Sequence, residues 1–311
     1  MFFIKALTYF TILVTNFTGN NEYMNFLNTY NKSYSPQKYE LYVNNSKYID
    51  ILNSQNLSYE VSINHFADEE FYSMNHFIKS NQCYNCVDPM LYENIDIPES
   101  VDWRKQNAVT HVKNQKECGG CWAFSTTGAV EGVSAIMNNR LVNISEQELI
   151  DCSKENHGCE GGIMDKAFQF VINNGLCSED SYSFTARDGL CHKWMCDSVV
   201  SISDYRDVEP NNEKALQYAV SKQPVSVAIQ ANLTSFRFYK RGVYQDSNCG
   251  TQLDHGVLIV GYGEENGNPY WIVKNSWSTE WGEDGYIKIL RNYNQPTGMC
   301  GIAMQPSFPV V

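Results

Sequence analysis

The chain has little positive charge for its length. Its 311 residues include 23 lysines and arginines against 35 aspartates and glutamates, which gives a formal net charge of -12 at pH 7. This balance would repel a polyanion, and the sequence contains no basic stripe that could offset the repulsion. The composition therefore argues against nucleic acid as a partner.

Long apolar runs are also lacking. The run at residues 6–14 follows the charged Lys5 and is too short to span a bilayer. A charge before a short apolar stretch is typical of a secretory signal peptide. We expect residues 1–19 to form such a signal, although no clear small-x-small cleavage site follows, and we expect no stable membrane association after its removal. A signal anchor and an untargeted N-terminal helix are the alternatives.

Metal-ligand spacing is absent as well. Cys83 and Cys86 form a Cys-x-x-Cys pair, but a zinc site needs two further ligands and none is nearby. We expect no metal and no other cofactor. The pair is predicted to be a small-loop disulfide or two free thiols, with a redox switch as the alternative. Eleven cysteines behind a signal peptide indicate an oxidising compartment.

The most informative segment that is present, residues 115–125, contains a cysteine at the start of a predicted helix. After Cys121, apolar residues recur three and four positions apart, as on one buried helical face, up to Asn138 and Asn139. Unpaired backbone N–H groups and the positive end of the helix dipole stabilise a thiolate at such a position. Because the thiolate attacks carbonyls, Cys121 is predicted to be a nucleophile. Taken alone, it could equally be a buried apolar residue or half of a disulfide.

His255 is the histidine best placed to assist that nucleophile. Residues 254–263 and 269–275 are predicted to be two strands of a hairpin, which brings Asn275 within a few residues of the register of His255. The Asn275 amide oxygen would accept the ring N–H and orient the imidazole. The remaining histidines are expected at the surface or in loops: His65, His76, His111, His157 and His192.

These segments resemble the papain-like cysteine proteases, the family of papain and cathepsin L. The resemblance covers nearly the whole chain through ordered blocks at residues 97–103, 113–115 with the cysteine motif, 145–152 with 158–162, 254–255 and 274–277. It implies that Cys121 is the nucleophile, His255 the acid and base, Asn275 the orienting residue and Gln115 the oxyanion donor. One departure is Gly120, where the family usually has Ser or Ala. Its permissive backbone could loosen the turn before the helix and change the rate.

The resemblance also implies an α+β papain-like fold with two subdomains, preceded by a helical prodomain. A helical half would carry Cys121 and a β-rich half His255 and Asn275, with the active-site cleft between them. Gly161 and Gly162 would let a substrate backbone approach and pair like a strand. The pocket for the second residue before the scissile bond is implied to comprise Ile163, Met164, Ala228, Leu253 and Gln305. Trp277 is expected to shield the hydrogen bond between His255 and Asn275.

The expected activity is that of a cysteine endopeptidase that acts on proteins and peptides. An imidazolium beside a thiolate at a helix end can lower the cysteine pKa to roughly 3 to 4, so an ion pair is expected. No histidine-bearing insertion follows Gly162, which favours cleavage within chains. The alternatives are a catalytically weak peptide-binding homologue and an acyl transferase or ligase that uses the same thioester.

Residues 20–96 are predicted to be an inhibitory propeptide and residues 97–311 the protease domain, as a monomer. Positions 38, 42, 45, 49 and 52 are spaced like one stripe of a helix. Lys38, Tyr42, Asn45, Ile49 and Asn53 resemble the interrupted helix motif of papain-like prodomains. Asn64, Phe66 and Asp68 match a second prodomain motif. A small independent helical domain is the alternative.

Both parts of the chain are acidic. The part before residue 97 has 5 basic and 10 acidic residues, and the part from residue 97 on has 18 basic and 25 acidic residues. Contact between the two parts therefore requires apolar packing and specific interactions. We expect acid to promote release of the propeptide, since protonation of carboxylates weakens salt bridges.

The cysteines fit a secreted or lysosome- and vacuole-like location. By position, the resemblance pairs Cys118 with Cys159, Cys152 with Cys191, and Cys249 with Cys300; we add Cys177 with Cys196, which flank the segment around Cys191. Sequence alone does not fix this connectivity. Candidate glycan sites are Asn31, Asn44, Asn56, Asn143 and Asn232.

Overall fold

The computed structural model describes residues 21–70, 83, 85, 86 and 96–311. The signal peptide predicted for residues 1–19 and the prediction for His76 lie outside them. Among the described residues, no helix is both long and apolar enough to cross a lipid bilayer.

The N-terminal part is built from two helices and a short strand. Residues 21–29 form α1, Pro36–Asn53 form α2 and Tyr59–Val61 form β1. Helix α2 starts after Ser35, whose hydroxyl accepts the Lys38 N–H, and it confirms the helix predicted from the spacing of residues 38–52. Two members of the predicted stripe, Tyr42 and Ile49, are buried. Tyr42 packs against Tyr23 and Phe26 of α1, with ring centroids 4.9 and 5.0 Å apart.

The helical half of the following domain consists of three main helices. These are α3, Cys121–Asn138; α4, Glu146–Cys152; and α5, Met164–Asn174. Helix α3 ends before Asn139 in the left-handed conformation, with φ 51°, which confirms the predicted helix and its end. Residues on every side of α3 are buried, because it runs between the other helices and the β-rich half.

The β-rich half is one twisted, mainly antiparallel sheet. The strands of this half are β2, Val101–Asp102; β3, Asp204–Asp207; β4, Val225–Ile229; β5, Tyr239–Tyr244; β6, His255–Glu265; β7, Asn268–Lys274; β8, Tyr286–Leu290; and β9, Ser307–Val310. Two helices lie between them in the chain: α6, Glu213–Val220, and α7, Thr234–Arg237. The strand order is β1-β5-β8-β7-β6-β4-β9-β3, and β2 pairs with β6. Strands β4 and β8 lie within the stretches 224–230 and 286–291, which are rich in alternating apolar residues.

Strands β6 and β7 form the predicted hairpin. Asn266 and Gly267 connect them with φ 53° and 78°, the two positive values that a type I′ turn needs. Glu265 faces Asn268 at the turn, and a register shift between Ile259 and Gly261 follows further along. Asn275 comes directly after β7, so the chain that carries it is anchored to the sheet next to the strand that His255 begins.

Two apolar clusters stabilise the fold. One lies in the helical half and includes Trp122, Leu149 and Phe168. The other lies in the β-rich half, includes Trp281, and continues without a break into Tyr23 and its neighbours in the N-terminal part. The N-terminal part therefore shares a core with the domain that follows it.

Five disulfides join ten of the cysteines, and Cys121 is the one left free. The bonds are Cys83–Cys86, Cys118–Cys159, Cys152–Cys191, Cys177–Cys196 and Cys249–Cys300. The last four are the pairings given in the sequence analysis, and the first is the small-loop disulfide.

Candidate active site

Cys121 is the first residue of α3. The loop before it is held by the Cys118–Cys159 disulfide and by the Gly119 N–H, which donates to the Cys159 carbonyl at 2.8 Å. Gly120 has φ -83° and ψ 9°, outside the left-handed region. A β-carbon there would lie 3.0 Å from the end of the Ile150 side chain. Residues other than glycine can therefore adopt the backbone conformation at position 120.

His255 and Asn275 are joined by a hydrogen bond in the buried end of the hairpin. His255 Nε2 and Asn275 Oδ1 lie 2.7 Å apart. Asn275 Oδ1 also accepts the Ser276 N–H at 2.8 Å, and the Asn275 N–H donates to the Gly285 carbonyl at 3.0 Å. Because Oδ1 can only accept, His255 Nε2 carries the proton and Nδ1 is left for chemistry.

Trp277 covers the imidazole. Its indole stacks on the ring of His255 with the centroids 4.8 Å apart and the planes 28° from parallel. Both side chains are buried. An apolar ring in this place keeps water from the hydrogen bond between His255 and Asn275.

Gln115 is fixed by the segment that carries Asn275. Its Oε1 accepts the Ser276 hydroxyl at 2.5 Å, and its backbone N–H donates to the Ser276 carbonyl at 2.8 Å. Its Nε2 donates one N–H to the Cys118 carbonyl at 3.0 Å. The second amide N–H is left to meet an oxyanion, together with the N–H of Cys121 at the start of the helix.

One cavity of about 380 Å³ brings these residues together. Its walls include Gln115, Cys121, His255 and Trp277. The N-terminal part supplies the remaining cover with four residues of one segment: His65, Phe66, Glu69 and Glu70. His65 lies in a turn, within the expectation of a surface or loop position, and it is half-buried against Phe66 and the cleft.

Comparison with known proteins identifies both parts of the chain. A model of the papain family cysteine proteases matches residues 97–310, and a model of the cathepsin propeptide inhibitor domain matches residues 23–71. The chain belongs to the papain family of cysteine proteases. Its N-terminal part carries the propeptide inhibitor domain of that family.

The relatives and the similar structures are proteases and their precursors. A KDEL-tailed cysteine endopeptidase of Arabidopsis thaliana is 54% identical over 223 residues, which are 70% of this chain and 62% of that protein. A probable cysteine protease of the same plant is 48% identical over 282 residues, 88% of this chain and 61% of that protein. The chain thus spans about three fifths of the length of these two relatives.

Two solved precursors match nearly the whole chain. The proform of the ragweed pollen cysteine protease Amb a 11 has a TM-score of 0.87 and 38% identity, with 94% of each chain covered. Procathepsin L 3 from the larval midgut of Tenebrio molitor has a TM-score of 0.84 and 38% identity, with 94% of this chain and 99% of that chain covered.

Burial affects the charge of Cys121 and His255. It raises the pKa of the Cys121 thiol to about 11 and lowers the pKa of His255 to about 4, while the Asn275 hydrogen bond opposes the second shift. In the covered precursor, burial therefore favours the thiol and the neutral ring. The ion pair expected from the sequence requires the cleft to be open to water.

Most of the residues expected in the substrate pocket belong to the apolar cluster that includes Trp122, and none of the five is among the residues that line the cavity around Cys121. Met164, Ala228 and Leu253 are buried in one apolar cluster, and Ile163 packs against it. Gln305 is half-buried, next to Met304, which packs against the same cluster.

The two glycines expected to face the substrate differ in their surroundings. Gly161 is buried. Its carbonyl accepts the His157 N–H at 2.9 Å, and its own N–H donates to the Gly158 carbonyl at 3.4 Å. Gly162 is half-buried, and a β-carbon there would lie 2.6 Å from Asn156 and 2.7 Å from Trp122. Close packing from inside the protein therefore requires glycine at position 162.

A buried charged cluster beside the site was missed by the sequence analysis. Lys113 Nζ lies 3.1 Å from Glu131 and 2.5 Å from Glu146, while Lys274 Nζ donates to Thr110 Oγ1 at 3.0 Å. Burial opposes ionisation of Glu131, but the two lysines hold its pKa below the usual value. Lys274 precedes Asn275, so the cluster anchors the catalytic strand to the helical half. Its members come from separate segments, and no local pattern marks them.

Proposed function

We propose that the chain is a cysteine endopeptidase made as a zymogen. Residues 1–19 are the signal peptide, 20–96 the inhibitory propeptide and 97–311 the protease domain. The observation that carries the proposal is that Cys121, a free cysteine at a helix N-terminus, shares one cavity with a histidine already oriented by Asn275. The extents of the two family matches support the division of the chain.

The first chemical step is attack of the Cys121 thiolate on a peptide carbonyl. The sulfur forms a bond to the carbonyl carbon, and the π electrons move to oxygen. The second amide N–H of Gln115 and the Cys121 N–H stabilise that oxyanion. Loss of one such donor typically costs about 2.7 to 4 kcal/mol of transition-state stabilisation.

His255 completes the reaction by giving one proton to the leaving amine and then taking one proton from water. Its Nδ1–H is transferred to the leaving amine as the C–N bond breaks, and a thioester remains on Cys121. The neutral ring then takes a proton from water as the water attacks the thioester, which releases the acid and restores the thiolate–imidazolium pair. Asn275 keeps Nε2 occupied, so the proton moves only at Nδ1.

Substrate selection before the scissile bond is assigned to the pocket of Ile163, Met164, Ala228 and Leu253, with Gln305 as its polar floor. The apolar surroundings favour Leu, Val or Phe as the second residue before the cleaved bond. Gly162 offers its backbone to the extended substrate. A Gln305→Ala variant with an unchanged preference would count against this pocket.

Propeptide residues hold the enzyme inactive by covering the cleft. Phe66 packs edge-on against Trp277 with the centroids 5.4 Å apart, and β1 pairs with β5 of the protease. The disulfides support folding in the secretory pathway and residence outside the cell or in an acidic vacuole-like compartment. The enzyme acts as a monomer, with proteins and peptides as substrates.

The test is acidic incubation of the purified precursor with a thiol-directed epoxide. Cys121 becomes labelled as the residues before about 97 disappear, whereas a Cys121→Ala precursor is neither labelled nor processed. Labelling without cleavage of any peptide favours the peptide-binding alternative. Product analysis with an added amine separates hydrolysis from acyl transfer, and hydrolysis is expected to dominate.

A further inference from the structure

Arg237 is a buried arginine of the protease domain with several contacts to the propeptide. It is 6% exposed. Its Nη1 donates to the Glu69 carbonyl at 3.0 Å, its Nη2 lies 3.8 Å from the Glu69 carboxylate, and its guanidinium carbon lies 4.9 Å from the centroid of Phe66. Departure of the propeptide removes these three contacts and opens the guanidinium to other ligands.

The protease domain itself holds the backbone of Arg237. The residue ends α7, and its carbonyl accepts the indole N–H of Trp281 at 3.0 Å. The preceding Phe236 packs against Trp277 and Trp281, with centroids 5.8 and 5.4 Å apart. The same carbonyl also accepts the Asn64 side-chain N–H of the propeptide at 2.8 Å. The contacts with Trp277 and Trp281 belong to the protease domain, so they continue to hold Arg237 after the propeptide leaves.

Phe66 marks how close Arg237 lies to the reacting groups. Its ring lies 5.4 Å from the indole of Trp277, which in turn stacks on His255 at 4.8 Å. The Phe66 side chain therefore contacts both Trp277, which stacks on His255, and the guanidinium of Arg237. His255 gives its proton to the leaving amine, so the substrate beyond the scissile bond passes along this side of the cleft.

The propeptide presents carboxylates to this region. Burial lowers the pKa of Arg237 to about 10, and Glu69 and Asp68 oppose that shift. Glu69 and Glu70 line the catalytic cavity and also a second cavity, of about 360 Å³, whose wall includes Arg237. Arginine binds a carboxylate through two parallel N–H groups, a geometry that lysine cannot reproduce.

We propose that Arg237 selects substrates on the leaving-group side, by binding a carboxylate within the first three residues after the scissile bond. The inference rests on the endopeptidase activity proposed above. The carboxylate belongs to an Asp or Glu side chain or to the end of a short substrate. In the precursor Glu69 fills this subsite, so one arginine serves inhibition first and substrate selection later.

The experiment uses the processed enzyme and pairs of internally quenched, C-terminally amidated peptides. The members of a pair differ only in Glu or Gln at the first, second or third position after the cleaved bond. At one of these positions kcat/KM is about tenfold higher for Glu. A further pair, with a free or an amidated chain end, separates the two sources of the carboxylate. Raising the salt to roughly 0.5 M reduces the preference.

Substitutions assign the preference to Arg237. In Arg237→Gln the ratio of Glu to Gln substrates falls to about one, and in Arg237→Lys it lies in between. The ratio is taken within each variant, so a change in overall activity cancels. Arg241→Gln is the matched control, because this exposed arginine of β5 also pairs with the propeptide, at 2.8 Å from Glu60, and it keeps the wild-type ratio.

Two results would overturn the assignment of Arg237 while the endopeptidase function stands. One is a wild-type ratio near one at all three positions and at the chain end, with neutral peptides still cleaved. The other is a preference that Arg237→Gln retains in full. If the wild-type enzyme cleaves no peptide, the proposed function itself falls, and this inference with it.

Discussion

Trp277 stacks on His255 and packs edge-on against Phe66 of the propeptide, with ring centroids 4.8 and 5.4 Å apart. The side chain that protects the catalytic histidine is therefore also the surface on which the inhibitor docks. An inhibitor that binds this indole covers the reacting groups without any chemistry at the sulfur.

Asn275→Ala removes the hydrogen bond that orients His255. We expect kcat/KM of the processed enzyme to fall roughly 10- to 100-fold, as for loss of one buried hydrogen bond to a reacting group. The hydrogen bond raises the pKa of His255, so its loss also moves the alkaline limb of the pH–rate profile to lower pH. Asn268→Ala, in the same hairpin, serves as the control. An unchanged profile in Asn275→Ala would contradict the orienting role.

We expect His65 to make propeptide release sensitive to acid. Burial lowers its pKa from 6.5, and its Nδ1 finds no hydrogen-bond partner among the described residues. The bound state therefore holds fewer protons on this ring than the released state does. Binding is at full strength above pH 6.5 and weakens as the pH falls toward the lowered value. Glu69 and Glu280 favour the charged ring, whereas Lys32 and Arg237 oppose it.

His65→Phe keeps an aromatic ring and removes the titration. We expect the midpoint pH of processing to fall by roughly half a pH unit or more, because acid no longer charges this position. The readout is conversion of the precursor on gels after incubation at graded pH. His111→Phe changes an exposed histidine and leaves the midpoint in place. Equal midpoints for His65→Phe and wild type would refute the role.

Glu131→Gln breaks the buried cluster that ties the helical half to the catalytic strand. In a Cys121→Ala precursor, which cannot process itself, we expect a loss of about 3–5 kcal/mol in the free energy of unfolding, measured in urea. Glu60→Gln removes an exposed ion pair and should cost about 1 kcal/mol or less.

The effect of Glu131 should fade in acid. Its pKa is lowered in the folded state, so its contribution is present above the usual value of 4.5 and is lost as the pH falls through the lowered one. The difference between Glu131→Gln and its parent therefore narrows in acid. A difference that grows as the pH falls would contradict this sign.

Two glycine substitutions test whether glycine is required by close packing of neighbouring atoms or only adds backbone flexibility to the unfolded chain. Gly162→Ala places a methyl group against Asn156 and Trp122 and should destabilise the protein by about 1–3 kcal/mol. Gly120→Ala meets the movable end of Ile150 at 3.0 Å and Cys118 Sγ at an ordinary contact distance of 3.4 Å, and it should be neutral or stabilising by about 0.4–1 kcal/mol, with activity retained. Melting temperatures and peptide cleavage test both; the reverse order of stability would refute the packing argument.

Local patterns explain what could be predicted from the sequence. The helix after Cys121 follows from apolar spacing, and the Asn266–Gly267 turn sets the hairpin that delivers Asn275 near His255. These features depend on neighbours a few positions apart. The resemblance to the papain family then supplied roles that spacing alone leaves open.

Contacts between distant segments could not be predicted. Glu131 and Lys274 are polar residues in unrelated stretches, and only the packing of α3 against the sheet brings them into one cluster. His65 was expected at the surface or in a loop, and nothing near it in the sequence indicates that its ring packs beside the cleft. The propeptide contact of Arg237 is equally invisible until the two parts meet.

Maturation has a consequence for solubility. Strand β1 lies at the end of the sheet and pairs only with β5 among the described strands, so loss of the propeptide turns β5 into an outer strand with unpaired backbone groups. Lys240 and Arg241 stand exposed on that strand. Charged side chains on an edge strand oppose edge-to-edge pairing of two copies of the protein, so Lys240 and Arg241 reduce aggregation at the edge that maturation exposes.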